Sequence, residues 1–345
     1  MLIRSRAPLR LGLAGGGTDV SPYSDIYGGA ILNVCINMFA HATIISGDGG
    51  KIIFNALDLE VSESYPICSD EILADGPLTL LKGIYINLVK RYPKISNQSI
   101  ILETHVDAPK GSGLGSSSTL VVAVVKAFAD FFELPLGEYD LAHLAYEIER
   151  EDLKMAGGKQ DQYAAAFGGV NFMEFLPENN VIVNPLKVKD EYLFELENNL
   201  LLYYTGTSRL SFEIIEQQAK NVVEKNSNSL EAMHQVKKQA VLMKEALLKG
   251  RLMDIGAILD YGWEHKKKMA SNISNSSIDL IYEAAKEAGA TGGKLSGAGG
   301  GGFFVFFCPA NTSHAVRKRL ADFGGEFYNF QFYNEGAKSW RVKGN

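Results

Sequence analysis

The chain has 345 residues, of which 46% are hydrophobic and 21% charged, so it has enough apolar material for two globular domains of ordinary size. Its formal net charge of −6 argues against a protein that binds the phosphate backbone of nucleic acids. Charged residues interrupt every apolar stretch before the ~18 residues of a membrane-spanning helix are reached. The arginine-bearing N-terminus does not resemble a secretion signal. We therefore expect a cytoplasmic protein with no membrane or nucleic-acid partner.

The three cysteines, Cys35, Cys68 and Cys308, are far apart and form no CxxC pair. An odd number of cysteines without a secretion signal predicts reduced thiols in a cytoplasm. We expect all three to be buried and unreactive.

The first hundred residues predict strands and one helix. Residues 30–46 (AILNVCINMFAHATIIS) and 51–57 (KIIFNAL) are rich in β-branched residues and indicate two strands, with a turn at the GDGG of residues 47–50. Residues 77–92 (PLTLLKGIYINLVKRY) have apolar positions at helical spacing. Residues 98–106 (QSIILETHV) predict another strand.

A glycine- and serine-rich loop, APKGSGLGSSS at residues 108–118, precedes an apolar run that predicts a buried helix from about Ser116 to Phe132. Unpaired N–H groups at such a helix start bind anions, and serine hydroxyls add donors and a magnesium ligand. The alternative is a surface turn with a serine N-cap. We favour a phosphate-binding loop because the glycines are dense and the helix is buried. The loop is neither a Walker A motif nor a dinucleotide fingerprint. Its expected ligand-binding residues are Gly111, Ser112, Gly113, Leu114, Gly115, Ser116, Ser117 and Ser118.

The remainder of the chain alternates helices and strands, which predicts an α+β protein of two domains, 1–195 and 196–345. Helices are expected at residues 137–153, at residues 157–169 and in most of residues 211–270. Strands are expected at residues 199–206, 301–307 and 324–334.

Three segments resemble, in order, the motifs of the GHMP kinases: APLRLGLAGGGTD at 7–19, APKGSGLGSSS at 108–118 and KLSGAGGGGFFVF at 294–306. The resemblance covers nearly the whole chain. It implies an ATP-dependent kinase with an N-terminal domain like domain 2 of ribosomal protein S5 and a ferredoxin-like C-terminal domain.

Within that superfamily, GGGTD, YGGAILN at 27–33 and YYTGTSRLS at 203–211 are most similar to sugar kinases that phosphorylate the anomeric hydroxyl of D-glycero-D-manno-heptose 7-phosphate. Galactokinases carry GEHTD and fucokinases GGWTD in place of GGGTD. A kinase of unphosphorylated fucose, galactose or a uronic acid is the alternative. An inactive sensor of the same fold and RNA binding by an S5-like domain are disfavoured by the residues present and by the charge. The oligomeric state is open, with a homodimer as one alternative.

The resemblance also implies catalytic residues. Asp161, in GGKQDQ, matches the galactokinase aspartate that faces the acceptor hydroxyl as general base or orienting group, although an acid near a helix start is the plain alternative. Arg10 matches the basic residue of the first motif and would offset negative charge in the transition state. Because an arginine in an apolar strand is costly unless it is paired, we expect Arg10 and Asp161 to form an ion pair.

Magnesium requires hard oxygen ligands, and the resemblance implies Ser117 and Glu149 for that role. Glu147 and Glu151 are alternatives, and a solvated acidic helix face would account for all three glutamates.

The sugar is expected to bind at GGGTD, where a carboxylate suits a vicinal diol, and at the third glycine-rich motif. Plain turns are the alternative for both. A substrate phosphate would need a basic site, for which Lys154 and Lys294 are further candidates, and any of these cations could instead be a solvated surface charge. The expected substrate-binding residues are Gly16, Gly17, Thr18, Asp19, Lys159, Arg209, Ser296, Gly297 and Gly299.

Overall fold

The structure is a computed structural model that describes residues 1–68, 72–207 and 211–343. Its strands are β1 (Leu2–Ala14), β2 (Gly29–Ser46), β3 (Lys51–Ala56), β4 (Val61–Pro66), β5 (Ile100–Val106), β6 (Val170–Phe175), β7 (Val181–Pro185), β8 (Leu200–Tyr204), β9 (Gly292–Leu295), β10 (Phe303–Phe307), β11 (Glu326–Tyr328) and β12 (Lys338–Arg341). Its α-helices are α1 (Tyr23–Tyr27), α2 (Thr79–Arg91), α3 (Ser116–Phe131), α4 (Glu138–Tyr146), α5 (Gln160–Phe167), α6 (Asp190–Asn199), α7 (Ser211–Val223), α8 (Ser227–Leu248), α9 (Asp254–Lys266), α10 (Ser276–Glu287) and α11 (Ser313–Leu320).

The first sheet is built around the long strand β2. Its strand order is β12-β1-β2-β5-β3-β4, with β6 pairing the first part of β2 and β7 pairing β6. The predicted strands β2 and β3 both exist, but they are not neighbours, because β5 lies between them and pairs β3 in parallel. Such long-range pairing cannot be read from a local turn signal.

Strand β1 is irregular where it approaches the glycine-serine loop. Its register against β2 shifts between Pro8 and Arg10, and again between Gly12 and Ala14. A bulge bends a strand and re-aims its side chains. At this bulge the Arg10 N–H donates to the carbonyl of Leu114 in the loop.

Helix α3 follows the expected boundaries to within one residue and lies in the core of the first half. The run Val121–Val125 is completely buried, which confirms the prediction of a helix that is apolar nearly all round. Helices α2, α4 and α5 contribute to the same core, which packs against β2, β3 and β5.

The second half contains a four-stranded antiparallel sheet in the order β11-β8-β10-β9. One face of this sheet packs with α10 and α11. The other face shares a core with β1, β2, α8 and α9, in which Leu11, Leu32, Met243 and Val305 are all fully buried. The two halves are therefore joined by apolar packing along β1, the strand that carries Arg10.

The last strand returns to the first sheet, since β12 pairs β1 with Arg4 opposite Trp340. The domain boundary near residue 195 stays a prediction. The two sheets lie on either side of it apart from β12.

The cysteines follow the prediction only in part. Cys35 and Cys308 are buried, whereas Cys68 is exposed, so the expectation of three buried thiols was wrong for Cys68. Its position just after β4, at a backbone φ of 57°, is a surface turn. Within the described ranges, no helix combines the length and the apolar character that crossing a bilayer would demand.

Candidate active site

A cleft with a volume of about 630 Å³ lies where the three glycine-rich motifs meet. One end is apolar and is formed by side chains of α2, β5 and α3, including Leu78, Leu81, Val106 and Leu120. The other end is polar. Its lining includes Arg10, Asp19, Glu149, Asp161 and Lys266.

The glycine-serine loop forms one wall of the cleft. Gly111, Gly113 and Gly115 have φ values of 72°, 81° and 78°, a backbone region that residues other than glycine rarely adopt. Gly115 is the N-cap of α3, so the loop presents a helix start to the cleft as expected. All three glycines and Ser116, Ser117 and Ser118 line the cleft, whereas Ser112 and Leu114 are fully buried and do not.

Arg10 and Asp161 form the predicted ion pair. The Arg10 Nε and Nη2 atoms lie 2.7 Å and 2.6 Å from the same oxygen, Oδ1 of Asp161. Asp161 Oδ2 is directed towards the loop, since a Cβ built on Gly115 would lie 3.1 Å from it. One carboxylate oxygen is therefore held by the guanidinium, while the other faces the phosphate loop.

The Arg10 guanidinium also connects the three motifs. Its Nη1 donates to the Gly113 carbonyl at 2.7 Å and to Ser296 Oγ at 3.2 Å. Gly113 packs so closely on the third motif that a Cβ there would overlap the Ser296 carbonyl oxygen. Arg10 is only 3% exposed, so this contact is a fixed part of the site.

Asp19 is buried beside this pair and accepts hydrogen bonds from the backbone N–H groups of Gln160 (3.1 Å) and Gly17 (3.3 Å). Burial, and then the nearby Asp161 carboxylate, raise the pKa of Asp19. A Cβ at Gly158 would overlap Asp19 Oδ2. The glycine in GGKQDQ therefore makes room for the Asp19 carboxylate.

The GGGTD segment contributes to the cleft through Gly17 and Asp19. Thr18, by contrast, is fully buried, and its hydroxyl bonds the carbonyls of Gly15 (2.8 Å) and Ala30 (3.1 Å). The structure thus places Thr18 inside the turn, holding it against β2, and away from the cleft. Gly16 contributes its carbonyl to Lys266.

The side-chain oxygens of Ser117 and Glu149, the two predicted magnesium ligands, lie next to each other. Ser117 Oγ donates to Glu149 Oε1 at 2.8 Å, and Gln162 Nε2 donates to Glu149 Oε2 at 2.7 Å. Glu149 lies in a wider π-type turn, Glu147–Asp152, that continues α4. Turns of this type are often found at functional sites. Glu149 is 1% exposed and lines the cleft, and neither Glu147 nor Glu151 belongs to the described lining.

In the third motif, Gly297 and Ala298 line the cleft and Ser296 acts through Arg10. Gly299 packs against Ile273 instead, so its part is structural.

The basic residues proposed for a substrate phosphate are scattered. Lys159 is 2% exposed, and its ammonium lies 3.1 Å from Asp25 Oδ1. Lys154 and Lys159 line a second cavity of about 290 Å³ that adjoins the first at Asp19. Lys294 is buried, donates to the Gly12 carbonyl at 2.6 Å and does not line either cavity. Arg209 lies outside the described residues.

Two cations of the site were missed by reasoning from the sequence. Lys266 is buried and lies between the first and third motifs. Arg150 donates to Ser118 Oγ at 2.9 Å and lies 3.3 Å from Glu149 Oε1. Lys266 belongs to a run of three lysines, and only the rotation of α9 decides which one points inward. Arg150 has acidic neighbours on both sides and resembles an ordinary surface charge in the sequence.

A glycine- and serine-rich loop at a buried helix start, an arginine–aspartate pair facing it and the adjacent hydroxyl and carboxylate of Ser117 and Glu149 form the arrangement expected of a phosphotransferase. Comparisons with known proteins agree. Residues 79–169 match the family profile described as GHMP kinases N terminal domain, and residues 243–326 match GHMP kinases C terminal.

Individual relatives give the substrate class of similar proteins. The chain is 47% identical to D-glycero-alpha-D-manno-heptose 7-phosphate kinase of Campylobacter jejuni, with 99% of each chain covered. It is 27% identical to the L-fucokinase/L-fucose-1-P guanylyltransferase of Bacteroides fragilis, over 92% of this chain and 36% of that one. A crystal structure described as a D-glycero-D-manno-heptose 1-phosphate kinase from Bacteroides thetaiotaomicron superposes with a TM-score of 0.84 at 44% identity, covering 99% and 100% of the two chains.

The chain belongs to the GHMP kinase family. It has the two-domain α+β fold of that family and is an ATP-dependent sugar kinase.

Proposed function

We propose that this kinase transfers the γ-phosphoryl group of ATP to the C1 hydroxyl of D-glycero-D-manno-heptose 7-phosphate, giving the 1,7-bisphosphate. The observation that carries the proposal is the orientation of Asp161, whose Oδ1 is bound by Arg10 while Oδ2 faces Gly115 of the phosphate loop. A carboxylate oxygen beside the phosphate loop is where an acceptor hydroxyl must lie for in-line transfer. The name of the 47% identical relative supports the choice of sugar.

The shape of the cleft fits a nucleotide with one orientation. Its apolar end, between α2, β5 and α3, suits the adenine ring, since nucleotide pockets are largely apolar with a few polar anchors. The triphosphate then runs along the loop towards the N-terminus of α3, where unpaired N–H groups and the helix dipole stabilise phosphate charge.

The acceptor would lie between Asp19 and Asp161. Asp161 Oδ2 accepts the hydrogen of the C1 hydroxyl as its oxygen attacks the γ-phosphorus, and ADP leaves. Arg10 holds Asp161 in position, and its charge offsets the negative charge that develops on the phosphoryl oxygens. Asp19 accepts hydrogen bonds from other sugar hydroxyls and fixes the orientation of the ring.

Ser117 and Glu149 would hold Mg²⁺. Their oxygens are 2.8 Å apart, and the carboxylate is buried at the cleft wall. Both are donors of the hard type that this ion prefers. When bound, Mg²⁺ would neutralise phosphate oxygens of ATP. Gln162 holds the second oxygen of Glu149 and so fixes the carboxylate that faces the ion.

The 7-phosphate would bind in the second cavity. This cavity adjoins the cleft at Asp19 and is lined by the cations Arg150, Lys154 and Lys159. Lys159 is already paired with Asp25, so a bound phosphate would share this cation with a carboxylate.

The pairing of Lys159 with Asp25 favours the alternative, a kinase of an unphosphorylated sugar such as L-fucose, because it leaves less positive charge for a substrate phosphate. The L-fucokinase domain of the Bacteroides fragilis relative is consistent with it.

Turnover measurements with different acceptors distinguish a heptose 7-phosphate kinase from a kinase of an unphosphorylated sugar. ATP consumption should be measured with D-glycero-D-manno-heptose 7-phosphate, mannose, L-fucose, galactose and glucuronic acid as acceptors, using wild type and Lys159→Met. Our proposal predicts activity with the heptose phosphate above all others, and a raised KM for it in the variant. If the enzyme prefers an unphosphorylated sugar, and Lys159→Met does not change the KM for that sugar, the heptose assignment is excluded. The protein would still be a sugar kinase.

A further inference from the structure

Lys266 is a buried cation at the polar end of the cleft. It is 2% exposed, and its ammonium donates to the carbonyls of Gly16 (3.1 Å) and Gly297 (2.9 Å). No carboxylate oxygen lies within 4.0 Å of this ammonium in the part of the chain that the structure describes. An ammonium has three N–H donors, so two carbonyls leave one donor unassigned.

Burying a lysine without a carboxylate partner is unfavourable, because the ammonium loses its hydration. Burial lowers the pKa of Lys266 to about 8, the nearby Asp19 raises it, and Arg10 lowers it. A buried lysine with a lowered pKa that lines a cleft is a candidate for ligand binding. The carboxylate of Asp19 is its counterpart, because it is buried in the same cleft and receives hydrogen bonds only from backbone N–H groups among the described contacts.

A sugar has oxygens that both donate and accept hydrogen bonds, and a site that orients it needs both kinds of group. Asp19 can only accept while it is ionised, and Lys266 can only donate. We propose that Lys266 is an acceptor-binding residue, which donates its third N–H to a sugar oxygen on the opposite side of the ring from Asp19. This inference rests on the proposed sugar kinase function and adds a residue that fixes sugar orientation.

The test is a comparison of Lys266→Met with Lys268→Met. Methionine keeps most of the length of the side chain without its charge, and Lys268 is an exposed neighbour on the same lysine run. With the heptose phosphate as acceptor, we expect the KM for the sugar to rise at least 10-fold in Lys266→Met while the KM for ATP changes less than 2-fold. Lys268→Met should match wild type in both.

Deoxy analogues of the acceptor identify the contact. If Lys266 donates to one hydroxyl oxygen, removing that hydroxyl should abolish the difference between wild type and Lys266→Met for that analogue alone. Equal losses for sugar and ATP together with a lowered melting temperature would indicate a structural role and overturn the inference. If wild type does not phosphorylate the heptose phosphate, the proposed function fails, and the same comparison is made with the preferred sugar.

A separate feature lies on the face of β5 away from the cleft. Thr104 and Val106 line the cleft, so the alternating His105 points to the other side of the sheet. His105 is opposite His41 of β2 in the antiparallel register. Their rings stack with centroids 4.3 Å apart and planes 7° apart. One ligand atom from each ring and one from Asp107 all lie within 4.8 Å of one another.

Asp107 is already oriented towards this pair. Its Oδ2 accepts from the Phe39 N–H at 2.8 Å, and its Oδ1 lies 3.5 Å from His41 Nε2. Zinc bonds of about 2.0–2.2 Å in a tetrahedral site separate two ligands by roughly 3.3–3.6 Å, so the pair of His41 and Asp107 has the required spacing. The ring of His105 must rotate out of its stack with His41 to direct a nitrogen at the same ion.

The geometry points to a second metal site, in which His41, His105 and Asp107 bind a divalent transition metal such as Zn²⁺ and clamp β2 to β5. Two imidazoles and one carboxylate favour Zn²⁺, Ni²⁺ or Cu²⁺ over Mg²⁺. Three protein ligands leave further positions for water. This site is independent of the catalytic magnesium.

Titration with Zn²⁺ alone, without ATP or Mg²⁺ and with protein free of any polyhistidine tag, tests this site. His105→Ala should weaken zinc binding at least 10-fold and abolish the rise in melting temperature that zinc produces. The control is His143→Ala, because His143 faces a single carboxylate, Glu147, at 3.5 Å. Unchanged binding in His105→Ala, or equal loss in His143→Ala, would overturn the proposal.

Discussion

Asp161 receives two N–H groups of Arg10 on a single oxygen, Oδ1, at 2.7 Å and 2.6 Å. This arrangement leaves Oδ2 directed to the phosphate loop, and it ties the predicted base to the strand that carries the first motif. The same guanidinium reaches Gly113 and Ser296. The carboxylate proposed as the base is thus held by an arginine that itself contacts the second and third glycine-rich motifs.

Asp161→Asn should reduce kcat by about 10²–10⁴-fold, since that is the usual contribution of a positioned base. Asparagine has nearly the same shape and still accepts a hydrogen bond from Arg10, so ATP affinity should change little, while the loss of the counter-charge to buried Arg10 lowers the free energy of unfolding. Steady-state kinetics and nucleotide titration measure these quantities. An amide variant that retained more than a tenth of wild-type kcat would remove Asp161 from the chemistry.

Arg10→Lys should be damaging although it keeps the charge, because a lysine cannot bind Asp161, Gly113 and Ser296 at once. We expect kcat to fall and the free energy of unfolding to drop by about 1–3 kcal/mol, because buried acceptors that Arg10 satisfies lose their donor. Denaturant unfolding of Arg10→Lys, Asp161→Asn and the double variant measures the coupling. Additive effects within about 0.5 kcal/mol would show that the two side chains do not act as a pair.

Gly158→Ala should weaken sugar binding selectively. The new Cβ would overlap Asp19 Oδ2, so the carboxylate must move. The KM for the acceptor should rise at least several-fold while the KM for ATP stays near wild type. Gly49→Ala is the control, because nothing lies within 4 Å of a Cβ at that exposed position. Equal behaviour of the two variants would mean that Asp19 does not bind the sugar.

Glu149→Gln should raise the Mg²⁺ concentration that gives half-maximal activity by roughly 10-fold or more. An amide is a weaker ligand for this ion than a carboxylate. Glu151→Gln is matched to it, since Glu151 is exposed and bonds Asn179. Activity titrated with Mg²⁺ at saturating ATP provides the comparison. If the Mg²⁺ concentration for half-maximal activity rose in Glu151→Gln but not in Glu149→Gln, Glu151 and not Glu149 would be the magnesium ligand.

The pKa of Lys266, lowered by burial to about 8 from an ordinary value of 10.5, predicts two pH effects. Acceptor KM should rise as the pH increases through about 8, because the ammonium loses its proton. Between pH 8 and 10.5 the unfolded chain binds more protons at this lysine than the folded chain does, so its burial costs less stability as the pH rises.

Lys266→Met removes both effects. The melting temperature of the variant minus that of wild type should therefore be largest near pH 7 and should become smaller towards pH 10, because only wild type gains stability as the lysine loses its proton. Asp19, Arg10 and Lys294 face the same ammonium, and all three are present in both proteins. Parallel pH profiles of acceptor KM and melting temperature for wild type and variant would contradict this assignment.

The sequence was sufficient to predict features that depend on a local residue pattern or on the pairing of a buried charge. The all-apolar run after APKGSGLGSSS predicted α3 to within one residue, and the cost of an unpaired charge in an apolar strand predicted the Arg10–Asp161 contact. The family resemblance suggested Ser117 and Glu149, whose side-chain oxygens lie 2.8 Å apart in the structure.

Features that depend on long-range packing were not predictable. The insertion of β5 between β2 and β3 has no local signal, and the rotation of α9 alone distinguishes Lys266 from the two lysines after it. Thr18 has the polarity of a ligand-binding residue, but its hydroxyl satisfies two buried carbonyls of the turn. Gly158 acquires its meaning only when Asp19, 139 residues earlier in the chain, is folded against it.

The most direct test of the account is a product analysis by ³¹P NMR after incubation of ATP, Mg²⁺ and D-glycero-D-manno-heptose 7-phosphate with wild type and with Asp161→Asn. We predict that wild type yields ADP and a heptose with two phosphate resonances, one of them coupled to the anomeric proton, and that the variant yields almost none. A new phosphate at any other carbon, or equal product from Asp161→Asn, would contradict the proposed placement of the C1 hydroxyl between Asp161 and the phosphate loop.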